Sequence, residues 1–433
     1  MPASSMNASW SSRFLLSLVA LPALCCLGLC HQTAAQPAPN ARPTGGQVVA
    51  GSASIAQTTA KTTVTQTSDR AAVNWQSFDV GSQQSVSFKQ PAATSVTLNH
   101  VTGPNPSQIA GRIDANGQIV VVNQAGVTFY KGAQINASGL VASAAGISNT
   151  NFMAGNLQFD QPGQPNARIE NQGTITIKQA GLAALVAPQV VNSGVIEAKL
   201  GHVVVAGAKT VTLDLLGDGL VSLNVTDSVT QVPIGPDGKP VTVLVTNSGT
   251  VSADGGTVQL TARAVDGLIQ NLVMAGGKVS ANASGASTGT VILNGVGGGV
   301  VVEGTVAAKG GGIQVAGSGN VSIASGAVLN ASNDTGGGTI MVGTSTAVPI
   351  TASSVTIASG AKIHASAKTT GNGGHVTVTS TGATTMAGAI AAKGGKQSGN
   401  GGTVQLSGVP LSLTGSVNVS APAGNPGTVS IGP

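Results

Sequence analysis

Apolar and polar positions alternate along this chain in short runs, almost without pause from Val48 to the end. Ser85-Val86-Ser87-Phe88, Thr174-Ile175-Thr176-Ile177 and Val203-Val204-Val205 are typical, and Gln118-Ile119-Val120-Val121-Val122 is a fuller example. A period of two marks half-buried strands, and continuous β-branched runs mark buried ones. Gly, Asn and Pro separate the runs, as turn residues do. No stretch keeps a 3.6-residue period. The best helical candidate, Gly181 to Val191, is short and contains Pro188, which opposes a helix interior.

The runs also repeat. Asn247-Ser-Gly-Thr-Val-Ser-Ala253 resembles Gly276-Gly-Lys-Val-Ser-Ala281, Glu303-Gly-Thr-Val-Ala-Ala308 and Ser359-Gly-Ala-Lys-Ile-His-Ala365. A second strand follows each after a glycine pair, as in Gly256-Thr-Val-Gln-Leu260, Gly312-Ile-Gln-Val315, Gly338-Thr-Ile-Met-Val342 and Gly402-Thr-Val-Gln-Leu406. The spacing is on the order of 20–35 residues, the range of solenoids. One such unit cannot bury its apolar face alone, whereas stacked units bury a continuous core and pair every backbone group. The pattern predicts an all-β chain, a right-handed parallel β-helix (β-solenoid) with short extra-helical β elements. Roughly 18 rungs at about 4.8 Å would give a rod of about 90 Å. Exposed sheet edges need covering, and residues 48–110, rich in aromatics, are the expected N-terminal cap.

Composition agrees. The chain has 433 residues with 62 glycines, 41% hydrophobic, 2% aromatic and 8% charged residues. So much aliphatic content with so little charge excludes disorder. The aromatics Trp75, Phe78, Phe88, Phe129, Tyr130, Phe152 and Phe159 all lie early, and none follows Phe159. The net charge of +5 comes without a dense basic cluster interleaved with aromatics, so nucleic acid is not an expected partner.

The first residues read as targeting. Arg13 precedes an apolar run from Phe14 to Leu29, and Thr33-Ala34-Ala35 ends the segment with small residues. That is the form of a signal peptide over residues 1–35, cleaved between Ala35 and Gln36. Cys25, Cys26 and Cys30, all the cysteines, fall inside it. The mature chain would then have no disulfide to obstruct passage through a narrow channel. Residues 36–47 read as a flexible leader.

Candidate chemistry is sparse. Gly285-Ala-Ser-Thr-Gly289 matches G-x-S-x-G, but in a low-complexity turn rather than a strand–turn–helix. His100, His202, His364 and His375 lack metal-ligand spacing, although His364 and His375 could share neighbouring strands. Asp214, Asp218 and Asp227 sit close, yet the second half has no aromatic platform for a sugar. Lys362, Lys368, Lys393 and Lys396 make the last stretch purely cationic, either to keep a solenoid flank solvated or to attract an anionic surface or glycan. We expect no enzyme, no metal and no cofactor.

Val73-Asn74-Trp75-Gln76-Ser77-Phe78-Asp79-Val80 resembles the Asn-Trp-x-x-Phe segment of the two-partner secretion domain, which opens filamentous-haemagglutinin-like exoproteins. The resemblance continues through Ile109-Ala-Gly-Arg-Ile113, Val122-Asn-Gln-Ala-Gly-Val-Thr-Phe129 and Gly139-Leu-Val-Ala-Ser143. Asn151-Phe-Met-Ala-Gly-Asn156 resembles the family's closing strands. Among the branches it is most similar to the high-molecular-weight adhesin type. One departure stands out: the family carries Asn-Pro-Asn-Gly where this chain has Asn123-Gln124-Ala125-Gly126. The outer residues survive, and the missing proline leaves the turn less pre-set.

The resemblance implies a secretion domain over 48–274 followed by Gly-rich β-helical passenger repeats over 275–433. It implies that Asn123, Gln124, Ala125 and Gly126, with Asn74, Trp75 and Phe78, are secretion-motif positions. It further implies an outer-membrane transporter with periplasmic recognition domains as partner. The destination would be the medium or the surface of a Gram-negative cell, reached through the periplasm. An adhesin with a host-cell or glycan receptor is the expected function. A β-helix polysaccharide-active enzyme and a truncated toxin carrier lacking its effector are the alternatives.

Overall fold

The computed structural model describes residues 36–214 and 222–432. The expected signal peptide over 1–35, including Ala35 at the expected cleavage site, lies outside the described residues, as does Asp218. One turn of chain sets the rule for the rest. The strand Gln118–Val122 leads to Gly126–Phe129, then to Gln134–Ala137, and returns as Gly139–Ser143. The return strand lies parallel to the first, with Leu140 beside Ile119. Repetition builds three sheets of 14, 11 and 14 strands, here called faces one, two and three in the order the chain visits them. The chain is a parallel β-helix.

In-register stacking explains the aliphatic composition. On face one Ile119, Leu140 and Ala183 lie rung above rung, and further along Val291, Ile313, Ile340 and Val376 do the same. On face three Ile113, Ile135, Ile175 and Ile196 do so. All are buried. At the end of face two three inward asparagines, Asn171, Asn192 and Asn247, form a ladder in the same register. Each Nδ2 donates to the next Oδ1, at 2.8 and 2.7 Å, which satisfies buried amides that would otherwise be costly.

The predicted second strands after each glycine pair all fall on face one, and the repeats before them on face three. The rung count does not match the expectation. Faces one and three hold 14 strands each, giving a rod of about 60 Å at ~4.8 Å per rung. Excursions consume the remaining residues. The largest is a three-stranded antiparallel sheet of Leu157–Phe159, Thr210–Asp214 and Ser222–Asp227. With the helix Asn149–Ala154 it covers the outer side of face one, where Val96, Leu98, Val120, Phe152, Phe159 and Val211 form a second buried cluster.

Two further expectations change. Asn151–Ala154, read as part of a closing strand, is helical. Ser148 accepts from the Asn151 N–H as an N-cap, and Gly155 ends the helix at φ 85°, a pair of local signals that fixes one short turn of helix. Gly181 to Val191, too short and proline-interrupted for a helix, holds two strands as that reading implies, Leu182–Ala187 and Gln189–Asn192. Residues 36–47 are not a loose leader throughout. Ala38 to Thr44 dock on the first rung, where the Gly81 N–H donates to Ala41 O, the Gln83 N–H to Pro39 O and the Gln76 N–H to Thr44 O.

The N-terminal cap is present. Gln47–Ala50 adds antiparallel to Arg70–Trp75 on face one, and Ala53–Gln57 adds antiparallel to Lys61–Gln66 on face three. Reversing direction there ends the stacking of rungs and covers the first edges. At the other end Leu413, Val429 and Ile431 of the last described rung are exposed.

Candidate functional site

The positions implied by the family resemblance fall on the first rungs, joined by one segment. Trp75 ends the strand Arg70–Trp75, turns its indole inward and is 1% exposed. Its ring meets Phe78 edge-on, with centroids 5.6 Å apart at 67°, a favoured aromatic geometry. Its Nε1 donates to Asn99 Oδ1 at 3.0 Å, and Asn99 Nδ2 donates to the carbonyls of Thr97 and Val120. Gly46 passes so closely over the indole that a Cβ there would lie 2.5 Å from it. Asn74 lies on the other side of the strand, and its Oδ1 is buried without a hydrogen-bond partner.

Downstream, the Thr102 N–H donates to Trp75 O, and the chain runs on to Asn105 and Ser107. Asn123 is fully buried. Its Nδ2 donates to Asn105 O and to Ser107 Oγ, each at 3.0 Å, and its Oδ1 accepts from the Ala125 N–H at 2.9 Å. The Gly126 N–H closes the turn onto Asn123 O at 2.9 Å, with Gly126 at φ 113°. A Cβ on Gly126 would also meet Arg168 O at 2.3 Å, so that position needs glycine twice over. Gln124 is exposed and its Nε2 donates to Pro162 O at 3.1 Å.

This arrangement fastens neighbouring segments of the first rungs to one another. Asn123, Gly126, Trp75 and Phe78 are buried, and of the turn residues Gln124 is the exposed one. Asn99 and Ser107, which sequence reasoning did not single out, are the partners that satisfy Trp75 and Asn123. An asparagine amid Val96, Leu98 and Val101 was the available signal, because buried polar groups require partners. Asn123→Ala removes three hydrogen bonds and strands Ser107 Oγ and the Ala125 N–H. We expect a loss of about 2 kcal/mol, read as a lower urea midpoint with faster amide exchange at Ser107 and Ala125.

His100 lies opposite Asn74 and Val122 on the covered side of face one. Burial lowers its pKa below 6.5. The folded state therefore favours neutral imidazole, and this contribution is present above pH 6.5 and lost as pH falls through the folded value. Lowering the pH from 7 to 5 should destabilise these rungs more in the wild type than in His100→Gln, as measured by urea midpoints.

The other candidates do not assemble. His364 lies on face three and His375 on face one. Gly285 and Ala286 form a tight turn closed by Ser284 and Ser287, and Gly289 leads into the strand Thr290–Val296. Among the described residues no three His, Cys, Asp or Glu side chains gather as metal ligands.

Comparisons with known proteins point one way. Residues 40–239 match the family model described as the TPS secretion domain. The crystal structure of the HMW1 secretion domain from Haemophilus influenzae superposes with a TM-score of 0.71 at 26% identity, over 90% of this chain and all of that one. A heme/hemopexin-binding protein of Haemophilus influenzae (strain ATCC 51907 / DSM 11121 / KW20 / Rd) is 32% identical over 203 residues, 45% of this chain and 22% of its own length. A second heme/hemopexin-binding protein of Haemophilus influenzae is 39% identical over 118 residues, 27% of this chain and 13% of its own length. The matched stretch therefore spans under a quarter of either curated relative.

Proposed function

We propose, from the match of residues 40–239 to the TPS secretion domain, that the chain is a two-partner exoprotein carried across the outer membrane by a dedicated β-barrel transporter. The observation that supports this most is the coincidence of the matched residues with the capped N-terminal rungs, superposable on a solved secretion domain over 90% of the chain. Its periplasmic recognition domains would meet the chain at an exposed strand edge. Gln47–Ala50 and Ala53–Gln57 stand at the outer edges of their sheets, and such edges accept added strands. Export of an unfolded chain followed by rung-by-rung stacking outside would bias the movement outward.

In this reading Asn123 and Trp75 build the domain, and the transporter contacts neither directly. The rungs beyond residue 239, including the Gly-rich repeats from 275, are the displayed part, acting as an adhesive or binding rod rather than an enzyme. The test is capture of the chain from Gln36 onward, diluted from urea, by the purified periplasmic domains of its transporter. Capture that is lost on removing residues 36–239 supports the reading. Equal capture of the shortened chain would overturn it.

A further inference from the structure

We propose that the displayed rungs carry a binding cleft for an acidic polysaccharide, with Lys368, Lys393 and Lys396 as its anion-contacting residues. The cleft has a volume of about 670 Å³. It forms where three successive loops leave the helix at the same corner after face three, around Lys368, around Lys393 to Gln397, and at Ser420 to Pro422. Backbone bonds fix these loops on one another. The Ala367 N–H donates to Lys393 O at 2.9 Å, the Gly394 N–H to Ser420 O at 2.9 Å and the Gln397 N–H to Thr369 O at 2.9 Å. Ser366 Oγ accepts from the Lys393 N–H at 2.9 Å. The lysine stems thus rise from an ordered floor, although their ammonium groups remain in water.

The charge around the cleft is uncompensated. Its one carboxylate, Asp334, lies 3.9 Å from Lys368 Nζ, and both side chains are more than half exposed, so that pair neutralises little. No acidic residue follows Asp334 in the sequence. Lysines that only keep a flank solvated would be dispersed, whereas three converge here. Lys396 follows Lys368 on the next rung, its N–H donating to Lys368 O at 3.4 Å. The rise of about 4.8 Å per rung is close to the length of one sugar unit, so stacked lysines meet successive charged units of a glycan. Thr369, Gln397 and Asn418, beside them in the lining, are suited to sugar hydroxyls. No aromatic residue follows Phe159, so there is no platform on which nucleic-acid bases would stack.

The test measures binding of the purified chain to immobilised sulfated glycosaminoglycan, sulfate-free polyuronate, neutral dextran and duplex DNA at low salt. Retention on at least one acidic glycan and not on dextran is expected. Lys393→Gln with Lys396→Gln should weaken it about fivefold or more, while Lys61→Gln with Lys89→Gln, on the first rungs of the rod, should change it less than about twofold. All four side chains are exposed, so circular dichroism should be unchanged. No retention, equal weakening by both pairs, or equal or stronger binding to DNA would overturn the proposal. The assay needs no transporter, so its failure is distinguishable from failure of the secretion reading.

Discussion

Trp75→Ala should destabilise the first rungs by about 4 kcal/mol, with amide protection lost from Gln47 to Val101 and retained beyond Thr257. The indole is 1% exposed, packs against Phe78 and satisfies Asn99 Oδ1. Truncation opens a cavity and strands that oxygen at once. It also releases the Gly46 crossing, which rests on the ring, so the cap loosens with the rung beneath it. The loss stays local because each rung of a solenoid contacts its neighbours alone. Hydrogen exchange resolved along the chain separates this outcome from uniform destabilisation, which a single cooperative unit would give.

Gly256→Ala should cost at least about 3 kcal/mol, more than a helix or strand propensity change explains. The reason is rung spacing. A Cβ at Gly256 would lie 1.9 Å from Gly201 O and 2.9 Å from Gly201 N, all backbone that cannot swing aside. Glycines at the same corner repeat the approach: a Cβ on Gly374 would lie 1.9 Å from Gly338 O, and one on Gly402 2.1 Å from Gly374 O. Relief would require prising rungs apart and lengthening the ladder bonds on either side, an overpacking cost with no flexible side chain to absorb it. Gly276→Ala is the matched control, since its nearest neighbours stand 3.6 and 3.7 Å away. Its thermal midpoint should stay within about 0.5 kcal/mol equivalent of the wild type.

Much of this architecture was legible because its determinants are local and repeated. Period-two runs, glycine pairs and the aliphatic bias state the β-helix without reference to distant contacts, and the glycine pairs mark the corner where Gly256 and Gly374 touch the rung before. The rod length was not legible, since excursions such as Leu157–Phe159 with Thr210–Asp214 and Ser222–Asp227 carry the same strand patterning as rungs. The helix Asn149–Ala154 was missed because it is too short for periodicity, and its Ser148 and Gly155 caps are visible only once looked for. For residues 38–44 a polar, proline-rich composition concealed docking made by backbone hydrogen bonds, which side-chain identity does not report. Asn123 was found through resemblance, but its buried role depends on Asn105 and Ser107, brought in by the preceding rung. The convergence of Lys368, Lys393 and Lys396 likewise depends on loop stacking that spacing alone does not show.

Delivery to an outer-membrane partner by the N-terminal rungs, as proposed, is measured directly by export. The chain is expressed in a Gram-negative host with and without its partner barrel, beside Asn123→Ala, and followed in periplasm, surface and medium. Surface or medium accumulation is expected only with the partner, with reduced export of Asn123→Ala. Export without the partner, or periplasmic retention in both hosts, would contradict the proposal.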